Sequence, residues 1–291
     1  MKPTFSIILP CWNSINYIER CIVSLKQQSY TNYEAIVIDN SSTDGTVEKI
    51  NEIKDERFKV FSIKNKGILA KSRNLGISKA EGEWIAFLDS DDWWTNDKLI
   101  YCNNFLNNNN VDFIYHDLEI KSNKPRLLKR KKNRCWQLKK PILINLLIDG
   151  NIISNSSVIV KKELLKKIGG IDENRNLPAS EDYNAWLRIA KFTDKFAYIP
   201  KKLGYYFLND QGMSNKDMSI SGRHAVNEFF EILNRQQKMK VEANLKYQSG
   251  RYNFQNLNFK KAKKDLFFVI KNGNISLKIR AFIMIIIMNF R

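Results

Sequence analysis

The chain of 291 residues is 43% hydrophobic and carries a formal net charge of +18. That apolar share excludes a chain disordered in bulk and allows one large α/β domain, with or without an appendage. Two histidines and four scattered cysteines (Cys11, Cys21, Cys102, Cys135), with no C-x-x-C pair, argue against a Ser-His-Asp triad, a zinc site and a disulfide framework.

From the N-terminus, residues 1–4 run straight into a strand over 5–9 closed by Pro10, and no signal peptide is expected. The spacing of Tyr17, Cys21, Ile22 and Leu25 predicts a helix over 17–28. The apolar stretch 35–38 is a second strand ending at Asp39. Thr43 and Asp44 can cap a helix over 47–53. A third strand covers 58–63 and a third helix 69–79. Residues 84–88 form a fourth strand, and a fifth over 111–115 follows a helix over 97–106. Alternating strands and helices with continuous apolar strands predict an α/β fold with a parallel, doubly wound sheet. Ligands of such sheets bind beyond the carboxyl ends of the strands. Pro10, Asp39 and Asp89 all stand at such ends, so one crevice is expected to gather them.

Residues 121–140 hold ten Lys or Arg and no acid, and read as a loop or edge hairpin. Next come a helix over 142–148, a strand over 157–160, and a helix over 162–168 stopped by Gly169 and Gly170. A helix over 180–191 and a short strand over 197–199 before Pro200 complete this part. After about residue 219 the pattern is helical only, with Gly250 and Gly273 separating the helices. Ala262, Leu266, Val269 and Ile270 share one apolar face. Residues 1–218 thus read as the main domain and 219–291 as a helical region that associates with membrane or oligomerises. This region holds fourteen basic and four acidic residues. Its longest apolar run, 281–288, is far short of the roughly twenty residues that span a bilayer. The chain is expected not to cross a membrane, although its tail could lie on one.

Candidate chemistry concentrates in four stretches. Asp89-Ser90-Asp91-Asp92 puts three carboxylates in four residues. Two such charges about 4 Å apart repel by roughly 1 kcal/mol in water and about 4 at an intermediate dielectric. A divalent cation would turn that repulsion into affinity, and oxygen donors without sulfur or nitrogen suit Mg²⁺ or Mn²⁺. A solvated acidic turn is the simpler alternative. The stretch from Asp39 to Thr46 could bind a nucleotide's base and ribose, or be only a capped turn. Lys66-Gly67, leading to Arg73 on a basic helix, could meet a diphosphate, or be a solvated surface helix. Ser180-Glu181-Asp182 opens a helix, as dipole complement or as a carboxylate general base. The spacings fit neither a P-loop nor a G-x-G-x-x-G turn.

In order, the chain reads Ile-Ile-Leu-Pro-x-x-Asn, Asp-Asn-Ser-Ser-Thr-Asp-Gly-Thr, Gly…Arg-Asn-x-Gly, Phe-Leu-Asp-Ser-Asp-Asp, Gly-Gly-Ile-Asp-Glu and Glu-Asp-Tyr. This resembles the family 2 glycosyltransferases, inverting enzymes of the GT-A fold, over residues 4 to about 215. The resemblance implies a nucleotide-diphosphate-sugar donor and a divalent metal, Mn²⁺ or Mg²⁺. It implies that Pro10, Asn13, Glu19, Asp39, Asp44, Lys66 and Arg73 line the nucleotide pocket. Asp89 would contact the ribose or metal, Asp91 would hold the metal, and Asp182 would be the catalytic base. Departures exist: Asn40 stands where relatives often carry a second acid, and Asn209 stands near where many carry a histidine. The Gln-x-x-Arg-Trp signature of processive relatives is absent, which suggests one sugar per encounter. The expected acceptor is a lipid-linked or surface-polysaccharide intermediate, with the chain cytoplasmic and peripheral on the inner face of the membrane. Nucleic-acid binding is the competing reading of the charge, but residues 121–140 offer only Trp136 as a stacking aromatic. A catalytically inactive sugar-nucleotide binder of the same fold is the third.

Overall fold

The computed structural model describes residues 2–123, 135–209 and 216–290. Residues 124–134, the larger part of the basic stretch 121–140, therefore lie outside the described residues, and with them the loop or hairpin expected there. The elements in chain order are β1 (Phe5–Cys11), α1 (Ile15–Lys26), β2 (Tyr33–Asp39), α2 (Thr46–Asn51), β3 (Phe58–Ser62), α3 (Leu69–Lys79), β4 (Trp84–Phe87), β5 (Trp93–Trp94), α4 (Lys98–Asn108) and β6 (Phe113–Lys121). Then follow α5 (Ile142–Asp149), β7 (Ile159–Lys161), α6 (Lys162–Lys167), α7 (Glu181–Ala190), β8 (Phe196–Phe207), α8 (Met218–Val226), α9 (Arg235–Gln255), α10 (Phe259–Asn272) and α11 (Ile275–Asn289).

The strands form one mixed sheet in the order β3-β2-β1-β4-β7-β6-β8-β5. β3, β2, β1 and β4 run parallel. β7 runs antiparallel between β4 and β6, whereas β6 and β8 are again parallel. Every residue of β1 and β2 is buried, because helices cover both faces of the sheet. Ile8, Ile36, Ile85 and Phe87 face one layer with α3, α5, α6 and α7. Ile7, Leu9, Ala35 and Val37 face the other, with α1 and α4.

β8 is twelve residues long, not the three expected before Pro200. The ladder between β6 and β8 shifts register between His116, opposite Ile199, and Asp117, opposite Lys202. Pro200 falls in that irregularity, where a missing N–H removes no ladder bond. Gly250 does not end a helix either: it lies inside α9. A Cβ there would meet Leu266 at 2.9 Å, so the glycine lets α10 pack close.

Asn234, Asn258 and Asn274 cap α9, α10 and α11, each side chain accepting a first-turn backbone N–H. Such caps contribute about 1 kcal/mol each. Ala225, Phe229, Val241 and Leu245 join the core shared with α3 and α7. Farther on, Ala262, Leu266, Val269, Ala281 and Ile285 close a separate apolar cluster between α10 and α11. None of the four cysteines forms a disulfide. Among the described residues, no helix is long and apolar enough to cross a membrane.

Candidate functional site

A cleft of about 1670 Å³ opens at the carboxyl ends of β1 and β4. Pro10, Trp12, Asn13, Arg73, Asp89, Asp91 and Asp182 all line it. The acids at 89, 91 and 182, ninety residues apart in sequence, thus share one cavity.

The end of β4 turns Asp89 and Asp91 in different ways from Asp92. Asp92 is 1% exposed, and its carboxylate accepts from the Phe207 amide at 2.8 Å. Burial and the charges of Asp91 and Asp89 push its pKa well up. Asp91 faces the cleft, and burial and the Asp89 charge raise it to about 6. Asp89 is fixed by three partners. Its carboxylate accepts from Arg73 at 2.8 Å and from Asn155 at 3.0 Å, and its amide donates to Ser156 at 3.1 Å.

Arg73 is buried and also pairs with Glu181 at 2.5 Å. Burial opposes the guanidinium charge, yet Asp89 and Glu181 outweigh it and hold the pKa above its ordinary value. Helix α3 and the first turn of α7 are thereby tied to the end of β4. Asp182 follows Glu181 and is partly open to the cleft. Asn151 donates to it at 3.4 Å, and its own neighbour Tyr183 donates a backbone N–H at 2.6 Å. Burial and the Glu181 charge raise Asp182 to about 7, against the pull of Arg73. A carboxylate so tuned can accept a proton near neutral pH.

The loops after β1 and β2 are stitched together. Asn13 donates its amide to Ser42 at 3.0 Å, and its side-chain oxygen accepts from the Thr43 amide at 2.9 Å. Asp44 accepts from the amides of Ile15 and Thr46. Asp39 is buried beside Cys11 and accepts from the Ser42 hydroxyl at 2.5 Å. Asp39 and Asp44 thus sit under the cleft rim and do not line it. Asn40 does line it, and accepts from the Asn65 amide at 2.8 Å. Asn209 lines it as well.

Besides Asp39 and Asp44, two more expected residues, Glu19 and Lys66, do not line the cleft. Glu19 pairs with Lys49 at 3.3 Å and its side chain is 66% exposed. The apolar face of α1 points Ile18, Cys21 and Ile22 inward, so position 19 lies on the outer side. Lys66 is exposed in the turn before α3, where its backbone is left-handed with φ 54°. Glu181, beside Asp182, lines the cleft too, as do residues to which no role was assigned: Trp12, 62% exposed, and Asn151 and Asn155. An aromatic between Pro10 and Asn13 was the available signal for Trp12. No local signal marks the asparagines, whose partners are distant in sequence.

Asp89 and Asp91 are the residues that could hold a metal ion. They fit a hard divalent cation: both donors are carboxylate oxygens, and both residues line the cleft. Among the described residues, no group of three or more His, Cys, Asp or Glu could enclose an ion. Two carboxylates leave the other positions to phosphate and water, as Mg²⁺ sites commonly do.

Comparison with known proteins gives one consistent answer. The family model described as Glycosyl transferase family 2 matches residues 6–169. An uncharacterized glycosyltransferase of Haemophilus influenzae is 37% identical over 171 residues, which cover 56% of this chain and 64% of that protein. The chain thus spans less than two thirds of that relative. The Escherichia coli protein named UDP-Glc:alpha-D-GlcNAc-diphosphoundecaprenol beta-1,3-glucosyltransferase WfgD is 32% identical over 186 residues, covering 64% of this chain and 69% of its own. Among solved structures, S. aureus TarS 1-349 in complex with UDP-GlcNAc superposes with a TM-score of 0.66 at 21% identity, over 94% of this chain and 81% of that one. Mannosyltransferase PcManGT from Pyrobaculum calidifontis, in complex with GDP-Man and Mn2+, gives 0.62 at 16% identity, over 95% and 78%. At these identities the likeness is one of fold: a mostly parallel sheet flanked by helices, as in GT-A glycosyltransferases, with C-terminal helices.

Proposed function

The chain belongs to glycosyl transferase family 2, and from that premise we propose that it moves one sugar from a nucleotide-diphosphate sugar to an acceptor hydroxyl, inverting the anomeric carbon. The observation that carries this reading is the shared cleft: Asp89 and Asp91 at one place, Asp182 at another, with buried Arg73 bracing both.

In this reading Pro10, Asn13, Asp39, Asp44, Arg73 and Asp89 shape the donor pocket. Asn13 and Asp44 act through the loop they hold, and Trp12 offers a ring for a base to stack on. Asp91, with Asp89, would hold Mn²⁺ or Mg²⁺. A cation bound there supplies Lewis-acid stabilisation of the charge that grows on the departing diphosphate. Arg73 keeps Asp89 aimed. Asn151 orients Asp182, and Asp182 takes the proton from the acceptor hydroxyl as it attacks C1 from the face opposite the diphosphate. General-base help of this kind is typically worth about 10²–10⁴ in rate. Glu19 and Lys66 have no part in it.

Residues 1–218 are proposed as the transferase unit and 219–291 as the unit that serves the acceptor. The acceptor proposed is a lipid-linked or polysaccharide intermediate, the kind of substrate printed in the WfgD name. Helix α11 favours a membrane-side position. Ile275, Ile279, Phe282, Ile283 and Phe290 stay exposed along its outer side, with Lys278 and Arg280 beside them. Basic residues near an anionic leaflet contribute about 1 kcal/mol each.

A panel of nucleotide-diphosphate sugars tests the central claim. One of them should raise the melting temperature with Mn²⁺ present and lose that effect with a chelator. Identical melting with every sugar and with none would end the reading.

A further inference from the structure

The cleft has a second arm, away from the donor pocket. Its total volume, about 1670 Å³, exceeds the roughly 300–1,000 Å³ of a site for one small ligand. Residues 148–155 run along it and fix the order of its parts. The Ile148 carbonyl accepts from Asn244 of α9 at 3.2 Å, and the Asp149 carboxylate from Asn274 before α11 at 3.5 Å. Asn151 then meets Asp182, and Asn155 meets Asp89 at 3.0 Å. Seven residue steps span at most about 25 Å. Along this stretch the C-terminal helices come first, the Asp182 carboxylate second and the cation-holding acids last.

Arg251 of α9 and Arg280 of α11 line the arm at its helical end. Among the described residues Arg251 has no acidic partner, and Arg280 donates to the Ser276 hydroxyl at 2.6 Å. Asp149, the acid on the neighbouring stretch, already receives the amides of Asn145 and Asn274. Two guanidinium groups without a carboxylate, in a concave site, suit a phosphate, which their planar forks grip in pairs. In the transferase reading the donor's diphosphate would lie at the other end, with Asp89 and Asp91. An anion here must belong to the second substrate. Ile275 and Ile279 flank Ser276 and Arg280 on the helix, so the exposed apolar stripe adjoins the cationic face.

We propose that Arg251 and Arg280 form an acceptor subsite for the diphosphate of a lipid-linked glycan, placing its sugar hydroxyl at Asp182 and its lipid along α11. This rests on the transferase reading but is tested apart from it. Geranyl diphosphate and inorganic pyrophosphate are titrated calorimetrically into the full chain with the donor pocket filled by Mn²⁺ and saturating UDP, then GDP. Wild type should bind geranyl diphosphate more tightly than pyrophosphate. The double variant Arg251→Ala with Arg280→Ala should bind it at least tenfold more weakly, while its nucleotide affinity stays within twofold and so reports an intact fold. Equal geranyl diphosphate affinity in both proteins overturns the subsite. Equal affinity of wild type for the two probes overturns the lipid assignment. Failure of wild type to bind either nucleotide would sink the transferase reading, while the arginine titration would still judge this one.

Discussion

At the sheet end of the cleft, Arg73, Asp89, Glu181 and Asn155 are tied to one another at 2.5–3.0 Å, and the loops after β1 and β2 are laced by Asn13 and Asp44. At the helical end, Arg251 has no acid among the described residues, and the outer side of α11 leaves Phe282 56% and Phe290 87% exposed. The sheet end braces most of its charges within the chain and leaves Asp91 to the cleft; the other presents charge and apolar surface outward. A pocket for a small, invariant nucleotide can be built in advance, because orienting its groups beforehand avoids that cost on binding. A surface for a large, membrane-held acceptor draws part of its partners from outside the chain.

Four measurements break or sharpen this contrast. The largest effect is expected from Asp182→Asn, where the two ends meet. Transfer should fall by about 10²–10⁴ with donor binding retained, since only the base is lost. Normal turnover would remove Asp182 from the chemistry. Next, Arg73→Ala should cost about 3–5 kcal/mol of stability by denaturant titration, because it strands Asp89 and Glu181 near each other in a buried network. Arg251→Ala at the open end should stay within about 0.5 kcal/mol of wild type. Similar losses for the two arginines would erase the contrast.

The pH dependence comes third. Asp182 must be ionised to take a proton, and its pKa is raised to about 7. The active form therefore fades as pH falls through that value, and turnover should drop about tenfold per pH unit below it. The residual activity of Asp182→Asn should lack this limb; the same limb in both proteins would assign it to another group. The smallest effect is at α11. Changing Ile279, Phe282 and Ile283 to Ser should weaken binding to vesicles of phosphatidylglycerol and phosphatidylcholine several-fold and leave folding within about 0.5 kcal/mol, since all three are half or more exposed. Unchanged vesicle binding would take the membrane away from this helix.

The strands β1, β2 and β4 and the helix α1 were legible because local patterns set them: unbroken apolar runs and one apolar stripe. The acids 89 and 91 were legible as a cluster at a strand end, whereas Asp182 was singled out only through the family resemblance. β5 was not, since Trp93–Trp94 is a strand only through its pairing with β8. Nor was the length of β8, because Pro200 carries its meaning only beside the register shift. Glu19 was misplaced for want of orientation: a motif gives position along the chain, and helix phase gives direction.

The amino-acid order by itself determined which segments bury both faces, where strands end, and that carboxylates cluster at those ends, because burial and like-charge repulsion act between near neighbours in the chain. The tertiary structure alone decided that Arg73 holds Asp89 and also reaches Glu181, 108 residues away, that Asp39 is buried against Ser42 while Asn151 reaches Asp182, and that α9 and α11 wall its far arm. Those are contacts between groups distant in sequence, set only once the layers pack and each side chain has one direction left to point.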